Sequence, residues 1–285
     1  MQKQKIHFSF LIAGIYLLSG CATVPITGRS QTILSSSREE AQLGQALFNQ
    51  LVSQGTGRGQ ILGRNESQEA TRLHALVDRV LARISKSASE FQDLQGVPWN
   101  YVILRSDVAN AGALPGNRVI LWQGIFKVAP DEPSLGVIMG HEVAHVIARH
   151  GAERRAQSEL LKSVGGVLVA AVSRGSPQAV DSTSRLYGLT TQVGLALPFS
   201  RSHESEADRI GLILMAKAGY DPREAIKVWE RMQREKDKRP PEFLSTHPSP
   251  DSRIRDIEGW LPEALAYYEK TDRATPIVVK SGETY

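Results

Sequence analysis

The five residues His141-Glu142-Val143-Ala144-His145 constrain this 285-residue chain more than any other stretch. Two imidazoles four positions apart lie on one face of an α-helix and can converge on one ion, with Glu142 projecting beside them. The flanks agree with a helix. Asp131 and Pro133 read as its start, Gly151 as its C′ stop, and only Gly136 and Gly140 break the run between. Zinc takes three protein ligands and keeps an open position, and it lowers the pKa of the water it carries toward about 7. Glu142 is then placed to accept that water's proton and pass it to a leaving amine. The competing reading is a helix with two exposed or core-satisfied histidines.

Two histidines do not complete a zinc site. A third histidine soon after the pair is one solution, but Ala148 and Gly151 stand at the relevant positions, and His150 points roughly opposite His141 at about 100° per residue. A carboxylate from a later helix is the alternative. In Ser200-Arg201-Ser202-His203-Glu204-Ser205-Glu206-Ala207-Asp208, Glu204 and Asp208 share a helix face while Glu206 is turned about 200° from Glu204. Glu204 suits a ligand, and Asp208 suits a partner for the second N–H of a ligand histidine. Taken alone, the run reads better as a solvated helix start, where Glu and Asp favour the dipole.

Composition narrows the class. A single cysteine excludes a disulfide scaffold, and 41% apolar residues exclude a disordered chain. The net charge of +4 is too diffuse to argue for nucleic acid. Lys3 and Lys5 precede an apolar run from Ile6 to Leu18 that closes with Ser19-Gly20-Cys21, which predicts a secretory signal over 1–20. Leu18-Ser19-Gly20-Cys21 also resembles the bacterial lipobox, so Cys21 is expected to be lipidated and to anchor the chain in a membrane. Ala22 rather than Asp after the cysteine resembles the sequence that permits transfer to the outer membrane in Gram-negative lipoproteins, which implies the periplasmic side of that membrane.

A polar tether is expected over 21–36. A capping-box pattern, Ser37-Arg38-Glu39-Glu40, opens a helix with Ala41, Leu47, Phe48, Leu51 and Val52 on one side. Leu73, Leu76, Val77, Val80, Leu81 and Ile84 predict a second amphipathic helix. Two strands, Trp99 to Leu104 and Val119 to Trp122, are expected with Ala111 to Asn117 as a loop between them. Helical patterns dominate from Ser134 to about Tyr268. The order predicts one α+β domain over 37–268, mostly helical with a small sheet, and a loose tail over 269–285. The apolar patch from Val164 to Val172 is far short of the roughly 20 residues that span a bilayer.

His141-Glu142-x-x-His145 with Glu204-x-Glu206-Ala207-Asp208 resembles the membrane-associated gluzincin peptidases, the family that includes HtpX, the CAAX prenyl proteases, the mitochondrial Oma peptidase and the periplasmic lipoproteins BepA and LoiP. The resemblance runs from about Ser36 to Leu261. It implies a zincin-like fold with the sheet beside the active helix, one zinc ion bound by His141, His145 and Glu204, and Glu142 as catalytic base. Asn110 to Gly116 is similar to the family's Asn-Ala-x-Ala-x-Pro-Gly stretch, whose following edge strand runs beside the active-site helix. That implies substrate binding by Asn110, Ala113, Pro115 and Gly116, through backbone pairing with a free strand edge. Gly112 and Asn117 depart from the pattern, and an ordinary tight turn is the competing reading. Thr246-His247-Pro248 followed by Arg253 resembles another family element. His247 could donate to an oxyanion, take the open position and hold the enzyme latent, or simply close a loop.

Two functions follow. One is a lipid-anchored zinc endopeptidase that cuts unfolded or misassembled envelope proteins. The other is a zinc-containing chaperone or scaffold for outer-membrane protein assembly, in which protein ligands close all four zinc positions. A prenyl-protease role fails for want of multiple spanning helices.

Overall fold

A computed structural model describes residues 21–91, 97–160, 200–236, 243, 247 and 252–271. The expected signal over 1–20, the apolar patch at 164–172 and the tail beyond 271 lie outside the described residues, as do Thr246 and Pro248. The chain divides into two compact units, with the break after Ser36 and again at Arg149 and after Pro198.

The first unit holds β1 (Cys21–Thr23) and β2 (Ser30–Thr32), an antiparallel pair in which Cys21 stands opposite Thr32. The segment expected as a tether therefore contains a hairpin, closed by left-handed backbone at Ile26 and Gly28. The same unit contains helical residues from 150 to 160, where Glu153 takes a two-pronged ion pair from Arg29.

The second unit carries the remaining elements. α1 (Ser37–Gly57) buries Glu40, Gly44 and Gly55, whereas Leu43 and Leu47 face solvent. Leu47 thus lies off the packed side that its spacing suggested. α2 (Gln68–Ala88) behaves as its pattern predicts and buries Leu73, Leu76, Val77, Val80, Leu81 and Ile84.

The sheet has three strands, β3 (Asn100–Leu104), β4 (Ala111–Leu114) and β5 (Arg118–Trp122), in the order β3-β5-β4. β3 runs parallel to β5, and β4 pairs antiparallel with it from Ala111 opposite Leu121 to Leu114 opposite Arg118. Two expectations change here. Ala111 to Leu114 is a strand rather than a loop, and it is the edge strand itself, whereas the strand that follows it lies in the centre. Small side chains hid it, because Ala and Gly carry little strand propensity. The far side of β3 is covered by a bridge between Ile61 and Leu104.

α3 (Glu132–Ile147) carries the His-Glu-x-x-His residues. Asp131 caps it with a full capping box to Ser134, and almost every residue from Ser134 onward is buried. It ends at Ile147 and not at Gly151: Ala148 is the C-cap, and Arg149 takes the left-handed conformation at φ 54°. α4 (Arg201–Lys217), capped by Ser200, crosses α3 at a contact of two glycines. A Cβ on Gly140 would stand 2.9 Å from the Gly211 carbonyl oxygen, and one on Gly211 would stand 2.9 Å from the His141 nitrogen. α5 (Glu224–Lys236) and α6 (Arg253–Lys270) complete the unit.

Candidate metal centre

The glycine crossing sets the site. Because no side chain separates the two backbones, the turn of α4 carrying Glu204 and Asp208 lies against the turn of α3 carrying His141 and His145. The imidazole Nε2 atoms of His141 and His145 are 3.1 Å apart. Glu204 lies 3.3 Å from the first through Oε2 and 3.4 Å from the second through Oε1. His247 adds Nδ1, at 3.3 Å from His141 Nε2 and 3.1 Å from Glu204 Oε1. All four side chains are buried.

This donor set fits zinc. Ligand bonds of about 2.0–2.1 Å in a tetrahedron put neighbouring donor atoms about 3.3–3.4 Å apart, which is the spacing found here. Three ring nitrogens and a carboxylate aimed at one point can share few protons among them, whereas one cation satisfies all four. The electrostatics point the same way. Burial disfavours the charged forms, yet the Asp208 and Glu204 carboxylates outweigh it and push His141 up to about 9. Burial would also raise the Glu204 carboxyl, but three facing imidazoles hold it far below the usual carboxylate range. The pocket is built around positive charge.

The surrounding residues orient the donors. His141 Nδ1 lies 2.9 Å from Asp208 Oδ1, so this nitrogen carries the proton and Nε2 faces the centre. Asp208 therefore stands where the sequence placed it, while Glu206 is buried outside the group. Glu142 sits on the opposite flank. Its Oε2 accepts from the backbone N–H of Ala113 at 3.2 Å, and its Oε1 is buried without a hydrogen bond, 3.4 Å from His247 Nε2. Burial pushes its carboxyl above the ordinary value.

Of the residues expected to meet substrate, Ala113 is joined to Glu142. Asn110 is buried just before β4, its side chain accepting from the N–H of Ala111 and its carbonyl from the N–H of Trp122. Pro115 and Gly116 form the β4–β5 turn and pack on α1. Three residues escaped the sequence reading. Phe243 stacks on His247 with ring centroids 4.5 Å apart, Trp229 lies 6.1 Å from the His141 ring, and Gly211 makes the helix crossing. Trp229 follows the helical spacing of buried Ala225, Val228 and Met232 on α5, which signals a packed face but not a metal centre.

A family model, "Peptidase family M48", matches residues 67–261. The mitochondrial metalloendopeptidase OMA1 of Schizosaccharomyces pombe is 36% identical over 93% of this chain and 74% of its own length. The chain belongs to peptidase family M48. M48 peptidases are zinc-dependent, and the His-His-Glu-His group found here can hold one such ion. The chain is also similar to the OMA1 of Danio rerio, at 30% identity over 89% of the chain and 53% of that protein. It resembles the beta-barrel assembly-enhancing protease of Escherichia coli K12 at 29% over 92% and 50%. It thus spans about half the length of these two M48 relatives. The membership makes this chain a zinc metallopeptidase. Among the described residues no helix is long and apolar enough to cross a membrane.

Proposed function

We propose that this chain is a zinc metalloendopeptidase held on the periplasmic side of the outer membrane by a lipid on Cys21, where it cuts misfolded or misassembled envelope proteins. The observation that carries the peptidase reading is the convergence of His141, His145 and Glu204 with Glu142 on the flank facing β4. The lipobox-like Leu18-Ser19-Gly20-Cys21 supports the anchor and favours the envelope over a mitochondrial setting. The likeness to the beta-barrel assembly-enhancing protease supports envelope proteins as substrates.

Bound zinc supplies a Lewis acid and a lowered water pKa. The chain's own residues do the rest. The Ala113 N–H fixes Glu142 Oε2, so Oε1 is the atom that takes the proton from the attacking water and delivers it to the departing amine. An extended substrate lies along the outer edge of β4 beside Glu142 and donates its own N–H groups to that strand's outward carbonyls, because the N–H groups of Ala111 and Ala113 already serve Asn110 Oδ1 and Glu142 Oε2.

One observation favours a second reading. His247 Nδ1 already stands among the other donors. As a permanent fourth ligand it makes the zinc structural and the chain a chaperone or scaffold for outer-membrane assembly. As a displaceable one it defines a resting state, from which the freed imidazole can serve the oxyanion. The test is to incubate purified mature protein with casein, with and without a chelator and zinc restoration, alongside Glu142→Gln. Cleavage that needs both zinc and Glu142 upholds the peptidase; a full cellular phenotype in Glu142→Gln cells gives the scaffold.

A further inference from the structure

Arg253 opens α6 with its guanidinium turned inward and only 2% of the residue exposed. Its Nε donates to Asp208 Oδ2 and its Nη2 to Asp208 Oδ1, both at 2.6 Å. Nη2 also lies 3.6 Å from Glu204 Oε2. The guanidinium carbon sits 3.4 Å from the centre of the Trp229 ring. A fork on a carboxylate and a guanidinium carbon over an indole hold the side chain in place, with Nη1 buried and without a hydrogen bond. Burying a guanidinium this fully is expensive unless its charge is answered, and here Glu204 and Asp208 answer it.

We infer that Arg253 is a positioning residue of the zinc centre: it locks the Asp208 carboxylate that holds His141, and it balances the two acids that α4 presents side by side. Asp208 Oδ1 accepts from both His141 Nδ1 and Arg253 Nη2, whereas Oδ2 is served by Arg253 Nε. Remove the arginine and Oδ2 loses this donor. The carboxylate is then free to rotate, and Glu204 repels it away from His141. The imidazole loses the bond that aims Nε2 at the metal. Orientation thus passes from Trp229 on α5 through Arg253 on α6 and Asp208 on α4 to His141 on α3, a set of contacts that no single stretch of sequence contains. The charges agree: three buried carboxylates, Glu142, Glu204 and Asp208, are matched by a dication together with Arg253.

The inference rests on the zinc-site reading, and zinc affinity of the full mature chain, measured by competition with a chelating dye, separates the two. A parent that binds no zinc sinks the site reading. With a binding parent, Arg253→Met, which keeps an apolar stem against Trp229, is expected to bind zinc about 10–100-fold more weakly. Arg253→Lys should recover part of the loss, since it restores charge without the fork. In an Asp208→Asn background, Arg253→Met should cost less than about threefold more, because the arginine acts through the aspartate. Affinity of Arg253→Met within threefold of the parent, or equal losses in both backgrounds, overturns the inference. If Arg253→Met fails to fold, Arg253→Lys carries the test alone: affinity a few-fold to some tens-fold below the parent upholds it, and parental affinity overturns it.

Discussion

The backbone N–H of Ala113 donates to Oε2 of Glu142 at 3.2 Å, which ties the edge strand of the sheet to the glutamate of the His-Glu-x-x-His helix. The bond leaves one carboxylate oxygen for chemistry and fixes its direction. Glu142→Gln keeps an oxygen for Ala113 and loses the basic one. Casein cleavage is expected to fall by about 10²–10⁴-fold, with zinc still bound at one per chain by metal analysis. Loss of the metal together with activity would mean that Glu142 holds the ion instead of moving a proton.

Gly211→Ala tests the helix crossing. Alanine gains about 1 kcal/mol of helix propensity over glycine, but its Cβ would stand 2.9 Å from the His141 nitrogen and 3.0 Å from the Gly140 carbonyl carbon. Backbone on both helices cannot swing aside as a side chain would. Overpacking of this kind costs about 1–3 kcal/mol, so the clash wins, and α4 shifts outward with Glu204. Thermal melts should show a lower midpoint, and zinc affinity should drop in the same variant. A rise in midpoint with affinity unchanged would show that the crossing has slack.

Helical periodicity is local, so the shared faces of His141 with His145 and of Glu204 with Asp208 need only the four-residue repeat, whereas Glu204 as the third donor comes from the family resemblance. α2 was legible for the same reason. What the sequence could not carry is which surfaces meet. Gly140 read as a weak point in α3 and is the contact that admits α4. Ala111 to Leu114 read as a loop because its residues lack the β-branched signature, and pairing with β5 makes it a strand. Trp229 and Phe243 are apolar residues whose nearness to His141 and His247 depends on tertiary packing alone.

Metal removal should destabilise the protein. His141 and His145, Glu204, and His247 come from three segments that are far apart along the unfolded chain, so a cation they hold favours the folded state. At a free zinc concentration 100-fold above its dissociation constant, that preference is worth about 2.7 kcal/mol. For a chain of this size the melting midpoint moves by about 2–4 °C for each kcal/mol, so a chelator should lower it by about 5–10 °C and added zinc should restore it. Calorimetry with and without chelator checks this, and an unchanged midpoint would mean that the donors hold no ion.

Acid should weaken the fold through His74, which lies outside the metal centre on α2. Burial pushes its pKa below the ordinary 6.5, with Nε2 3.0 Å from the Leu62 carbonyl oxygen and Nδ1 2.9 Å from the Tyr101 hydroxyl. The unfolded chain therefore takes up this proton at a higher pH than the folded one. Stability from His74 is fully present above about pH 6.5 and is lost as pH falls below it. Asp78 adds to the trend at lower pH. Burial alone would raise its carboxyl, but the Arg64 guanidinium and the Tyr101 hydroxyl hold it below 3.8, so its contribution disappears as pH drops through that range. Urea unfolding at pH 7.5 and pH 5 should show a larger loss of stability for the parent than for His74→Gln, which has no ring to protonate. Comparing parent with variant cancels the titration of the metal-centre histidines, so equal losses in the two proteins would remove His74 as the sensor.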